Sequence, residues 1–301
     1  MNGNRIVVGC PPGGLPDHAL ASLARWVRIH DGEMLVLGVG TADEDPTESV
    51  DRAVAALAES GLRAEREVLP LAADGVAATI AVAAEVWKAD FVALGSDRRD
   101  VADGHLVGRV PRALVRRTTI PLFVHSAAPG ERVVQDGAEL HRAALGRVVI
   151  AIDESANAGA ALRAASLLSR QGTPMLVLHV LSETGSEGAR RADASAAGAD
   201  RLLRQAVATL EEAGHDASSQ LVAVPDRIAE AIAAKAETWG ADLVLLGAPM
   251  GSRPGCHLVD GTAADVLRHT PRPVMLVVSP CAAKADVGAT QVGGRSPCPV
   301  P

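Results

Sequence analysis

The chain has 301 residues, enough for two domains of ordinary size, and its 48% hydrophobic and 22% charged content is globular rather than disordered. With a net charge of −7, two Phe, three Trp and no Tyr, it lacks the basic footprint and the stacking platforms that nucleic-acid binding requires. No apolar run reaches the roughly 18 residues of a membrane span. The opening MNGNRIVVGCPP has no signal-peptide layout, and the four Cys show no metal-ligand spacing, so a cytoplasmic protein with reduced thiols is expected. Three Lys against 26 Arg, with abundant Ala and Gly, is a composition common in bacteria with GC-rich genomes.

In chain order, RIVVGC at 5–10 and MLVLGV at 34–39 are short continuous apolar runs, as expected of strands covered on both faces. A helical pattern ends at Gly61, and the segment AEVWKADFVALGS at 84–96 carries a helix end into a strand. Pro121 introduces the run LFV. The series then starts again. RVVIAI begins at Arg147, and helical spacing of Ala161, Leu162, Ala165 and Leu168 predicts a helix over 157–170. A strand is expected at 174–181, a long helix at 190–213 closed by Gly214, and a strand at 221–224. Ile228, Ile232 and Ala236 mark a helix over 226–239; a strand at 242–247, a helix at 263–269 and a strand at 274–278 complete the unit.

The second series repeats the first. AETWGADLVLLGA at 236–248 matches AEVWKADFVALGS in eight of thirteen positions, and two of the three Trp, Trp87 and Trp239, occupy the same place. A repeat of this length is a duplicated domain, not a solenoid. The expected layout is a first domain at 1–126, a linker at 127–145, a second domain at 146–280 and a disordered tail at 281–301. Each domain is expected to be a Rossmann-like α/β unit: a five-stranded parallel sheet, order 3-2-1-4-5, with helices on both faces.

In such a sheet the ligand crevice lies at the carboxyl ends of the strands, where the strand order reverses, between strands one and four. After strand one of the second copy comes Asp153, a carboxylate that can accept hydrogen bonds from ribose hydroxyls or a base amine. Equally, Asp153, Ser155 and Asn157 all qualify as N-caps of the next helix. After strand four comes LGAPMGSRPGCHLVDGTAAD, with Gly247, Gly251, Gly255 and Gly261, and with Gly261-Thr262 opening a helix. Glycines allow close approach to phosphate oxygens, and a helix start adds N–H groups; Thr262 offers a hydroxyl and Arg253 a cation. The other reading is a plain surface loop.

Asp153 after strand one, His179-Val180 in strand two, the spaced-Gly loop and VLRHTPRPVMLV at 266–277 together resemble the universal stress protein family, and the resemblance covers both copies. Nucleotide-binding members of that family carry G-x2-G-x9-G-[S/T] after strand four, and dimers often form through the last strand. The resemblance implies that Asp153 meets the adenine–ribose end, Val180 meets the base through its backbone, and Gly247, Gly251, Gly261 and Thr262 hold the phosphates of ATP, with Mg2+. Arg253 stands beside them. The spacing departs from the pattern between Gly247 and Gly251, which have three residues between them, and counting back from Pro273 places Asp260 on the last Gly.

The first copy departs further. Pro11 stands for Asp153, Gly38 for His179, Arg98 for the middle Gly and Arg109 for the Ser/Thr. It is read as a pseudo-domain, its Arg98, Arg99 and Arg109 forming either an anion site or a solvated loop. His179 is expected to bond locally, and Trp87 and Trp239 to wedge between helix and sheet rather than stack on a ligand. No catalytic triad, acid–base pair or GxxxxGK[ST] loop is present, so the expectation is a nucleotide-binding regulatory protein, at most a slow ATPase. The two copies are expected to pack as an internal pseudo-dimer, with a further homodimer possible. The alternative is a scaffold or interaction module that binds no nucleotide.

Overall fold

Alternating apolar strands and amphipathic helices bury both faces of a sheet, and the chain follows that rule throughout its computed structural model. The structure describes residues 5–15, 20, 23–24, 27, 32–96, 109–126, 146–155, 157–182, 188–250, 262–270 and 272–280. The expected linker at 127–145 and tail at 281–301 lie outside them.

The first series of elements comprises β1 (Arg5–Cys10), β2 (Glu33–Gly40), α1 (Thr47–Glu59), β3 (Ala64–Pro70), α2 (Val76–Val86), β4 (Phe91–Ser96), α3 (Arg109–Leu114) and β5 (Leu122–Ser126). The second comprises β6 (Val148–Ala151), α4 (Asn157–Leu168), β7 (Pro174–Ser182), α5 (Gly188–Glu212), β8 (Asp216–Val224), α6 (Ile228–Thr238), β9 (Leu243–Met250), α7 (Thr262–His269) and β10 (Val274–Pro280).

The strand order is β3-β2-β1-β4-β5-β10-β9-β6-β7-β8. Each half therefore has the expected 3-2-1-4-5 order, and all pairs within a half are parallel. The expectation of two separate five-stranded sheets needs correction: there is one ten-stranded sheet. β10 pairs antiparallel with β5 through Val274–Val124, Met275–Phe123 and Leu276–Leu122. The cause is the chemistry of those two edges. Both are uncharged and apolar on both faces, so leaving either open would expose backbone donors and acceptors beside bare hydrocarbon. The pairing also fuses the cores. Phe123, Met275 and Val277 join one buried cluster with Ile6, Val8 and Ile150, while Leu122, Val124, Val274 and Leu276 join the cluster on the opposite face. Because the junction is antiparallel, the carboxyl ends of the two halves point to opposite ends of the sheet.

Most boundaries agree with the sequence pattern to within three residues. β8 is the exception: it begins at Asp216, not 221. Its first half, Asp216-Ala-Ser-Ser-Gln220, has no apolar run because the strand is a sheet edge, yet it pairs residue for residue with β7 from Pro174 onward.

Candidate functional site

In the second half, β6 is shorter than its neighbours. Ala151, its last residue, pairs with Leu178 of β7 and Leu246 of β9. Beyond that level β7 continues to Ser182 and β9 to Met250. A slot one strand wide opens between them, about 10 Å across, twice the inter-strand spacing. The Ile152 N–H still reaches the Leu178 carbonyl at 2.9 Å, and the chain then turns out of the sheet at Asp153.

That hydrogen bond fixes the orientation of what lies above it. Peptide groups of alternate strand residues face the same side. The Leu178 carbonyl faces β6, so Val180, two residues on, turns its N–H and C=O toward the slot. This places one donor and one acceptor side by side at the slot.

A cavity of about 180 Å³ occupies the slot on the α6–α7 face of the sheet. Its floor and wall are apolar, from Leu178, Leu246, Ile228 and Ile232; Asp153 and Thr262 supply the polar side chains at its rim. Val180 and Gly247 also line it. The structure thus brings four of the expected site residues, Asp153, Val180, Gly247 and Thr262, to one cavity. Gly251, Arg253 and Gly261 lie outside the described residues, as does Asp260. Ile228 and Ile232 were legible in the sequence only as a helix face. Their i, i+4 spacing at the start of the helix after β8 was the available signal for a crevice wall.

Asp153 is exposed, and its Oδ1 accepts the Ser155 N–H at 3.0 Å together with the Ser155 hydroxyl. Ser155 Oγ in turn accepts the Asn157 N–H at 3.3 Å, so the serine reaches the amide that opens α4 and the aspartate orients the serine. Both named carboxylate bonds fall on Oδ1. Gly247 has a local reason to be glycine: a Cβ there would lie 2.7 Å from Asn157 Cβ and 3.1 Å from the Asn157 carbonyl oxygen. The start of α4 lies directly against β9.

His179 points to the other face of the sheet from the cavity. It is buried and donates from Nδ1 to the Ile152 carbonyl at 2.9 Å, the local bond expected of it. Trp87 and Trp239 lie at the amino ends of the strands, away from the slot. The Arg5 guanidinium lies 4.3 Å from the Trp87 ring centre, and that of Arg147 lies 5.5 Å from Trp239. Asp242 Oδ2 accepts the N–H groups of Gly146 and Arg147 at 2.8 and 3.0 Å, and Asp90 accepts that of Arg5 at 2.7 Å. The repeated Trp-x-Ala-Asp is therefore a clasp on the start of the first strand of each half.

The first half differs from the second at the corresponding positions. Pro11 takes the place of Asp153, and a Cβ on Gly38 would strike Pro46 and Val50 at 2.8 Å. Val39 is buried, whereas Val180 is half-buried. Cys10, just before Pro11, is buried, and desolvation pushes its thiol up to about 11 against the partial opposition of Arg52. Arg98, Arg99 and Gly108 fall outside the described residues. Among the described residues no cluster of His, Cys, Asp and Glu is arranged to hold a metal, and no helix is long and apolar enough to cross a membrane.

Residues 145–278 match the model of the universal stress protein family. The match spans the second half of the chain, from before β6 into β10. No curated protein sequence matches the chain. Among solved structures, a universal stress protein from Archaeoglobus fulgidus is similar over 92% of this chain and 99% of its own, with 18% identity and a TM-score of 0.63. A functionally unknown protein from Pseudomonas aeruginosa covers 92% of each chain at 14% identity and a TM-score of 0.61. At these identities the likeness is one of fold, and it extends over both halves of the sheet. A second universal stress protein from Archaeoglobus fulgidus, solved in complex with dAMP, is similar over 44% of this chain and 96% of its own, with 23% identity and a TM-score of 0.35.

Proposed function

We propose that the chain is a universal stress protein of two tandem domains, 1–126 and 146–280, that binds an adenine nucleotide in the second domain and has lost the site in the first. The antiparallel β5–β10 junction is read as an internal pseudo-dimer, and the first domain as the structural partner of a sensor. The observation that carries the reading is the slot above Ala151, where the Val180 peptide groups, the Asp153 carboxylate and an apolar wall of Ile228 and Ile232 converge on one cavity. An apolar wall with a few convergent polar groups is the usual composition of a small-molecule site. The wall suits the faces of a purine, the backbone pair its edge, and Asp153 the ribose hydroxyls. Thr262, opening α7, stands where phosphates would leave the cavity, with Gly251, Arg253 and Gly261 as the residues assigned to hold them and Mg2+ as their counter-ion. The reading is regulatory, with ATP as signal rather than substrate.

A second reading has its own support. The Asp153–Ser155–Asn157 chain and the packing of Gly247 on Asn157 explain two of the site residues without any ligand. A scaffold of this fold that binds no nucleotide would keep both.

Calorimetric titration of ATP into the full chain separates the two. The proposal expects one ATP per chain, weakened at least about tenfold by Asp153→Ala, a loss of about 1.4 kcal/mol. No heat, together with no nucleotide released from the denatured protein, leaves the scaffold reading.

A further inference from the structure

Each half of the sheet has two edges, and the chain treats them by their charge. β5 and β10, uncharged where they meet, pair antiparallel with one another. β3, the outer edge of the first half, exposes Glu65, Arg66 and Glu67 in succession and ends in Pro70, the devices that keep an edge strand from pairing with another chain. β8, the outer edge of the second half, carries a single charge, Asp216 at its first residue, and no proline. It is nine residues long, against about five or six for an ordinary strand. From Ala217 to Val224 it has no charged residue and no proline. Among the described residues it has a strand, β7, on one side only.

We propose that β8 is an interface between two copies of this chain, which pair antiparallel across a two-fold axis to extend the sheet. A second copy is the occupant because such an edge is self-complementary: an antiparallel two-fold ladder sets each strand against itself, and with 217–224 uncharged no like charges meet across it. The chain already joins uncharged edges in this geometry at β5–β10. The interface requires no nucleotide and is independent of the cavity reading.

The test is sedimentation velocity of the full chain, free of nucleotide, from low to high micromolar concentration, compared with the double variant Ser219→Lys, Ala223→Lys. Both side chains are exposed, so the folded monomer tolerates the change, and an unaltered thermal melt verifies it. The expected result is a concentration-dependent dimer in the wild type, weakened at least about tenfold in the variant as lysines are brought against each other. Backbone amides of 217–224 should gain hydrogen-exchange protection as concentration rises. A wild-type chain that stays monomeric, or a dimer indifferent to the two lysines, overturns the proposal.

Discussion

The Cβ that Gly247 lacks would stand 2.7 Å from Asn157 Cβ, and Asn157 is the first residue of α4. The close approach couples the strand beside the cavity to the helix that leaves Asp153. Gly247→Ala drives an atom against helix backbone that cannot turn aside, so it is expected to cost about 1–3 kcal/mol by urea denaturation without ligand. Gly9→Ala in the first half is the control. Its added Cβ meets the end of the Leu94 side chain at 2.8 Å, which can rotate, and the cost should be distinctly smaller. Equal costs would show that the packing at Asn157 is not the constraint.

The Arg–Trp–Asp clasps sit at the far end of the sheet from the cavity. Trp239→Leu removes the ring under Arg147 and is expected to lower stability by about 0.5–2 kcal/mol, leaving any ATP affinity unchanged. Asp242→Ala strands two backbone N–H groups and should cost about 1–3 kcal/mol. A change in ATP affinity with Trp239→Leu would return the tryptophan to the ligand site.

Arg227 holds a left-handed backbone, φ 66°, at the start of α6, one residue before the cavity wall. The corresponding turn of the first half uses Gly75 at φ 92°. The Arg227–Glu230 pair at 2.9 Å is largely exposed and adds little. Arg227→Gly is therefore expected to raise stability by about 0.5–1 kcal/mol, because glycine adopts this conformation without a Cβ penalty. A drop in the denaturant midpoint would show that the Glu230 pair outweighs the backbone strain.

Cys10 gives the fold a pH dependence in the alkaline range. Burial raises its thiol from the ordinary 9.0 to about 11. The folded chain thus holds a proton that the unfolded chain releases first, so the stabilisation is complete below about pH 9 and is lost as pH rises toward 11. The denaturation free energy of the wild type should fall more steeply across that window than that of Cys10→Ala. Parallel slopes would mean the thiolate is solvated in the folded state.

The alternation of apolar runs with helical spacing and the duplication were legible in the sequence, because each rests on local burial: a strand covered on both faces reads as a continuous apolar run wherever it lies. The 3-2-1-4-5 order was the expectation for an alternating α/β unit. That order, with its reversal point between strands one and four, placed Asp153, Gly247 and Thr262 at one crevice, and the family resemblance added Val180. What local pattern does not contain is pairing between residues about 150 positions apart. Leu122–Val124 and Val274–Leu276 read as ordinary last strands; only their meeting turned two sheets into one and sent the crevices to opposite ends. Gly247 read as a phosphate-loop glycine, and the tertiary structure alone showed the helix start against it. The tryptophans read as wedges, and only the folded chain set Arg5 and Arg147 upon them. β8 began five residues early because an edge strand is held by its neighbour's hydrogen bonds and not by an apolar run of its own. Periodicity reports how deeply a residue is buried; which partner buries it is decided by the chain as a whole.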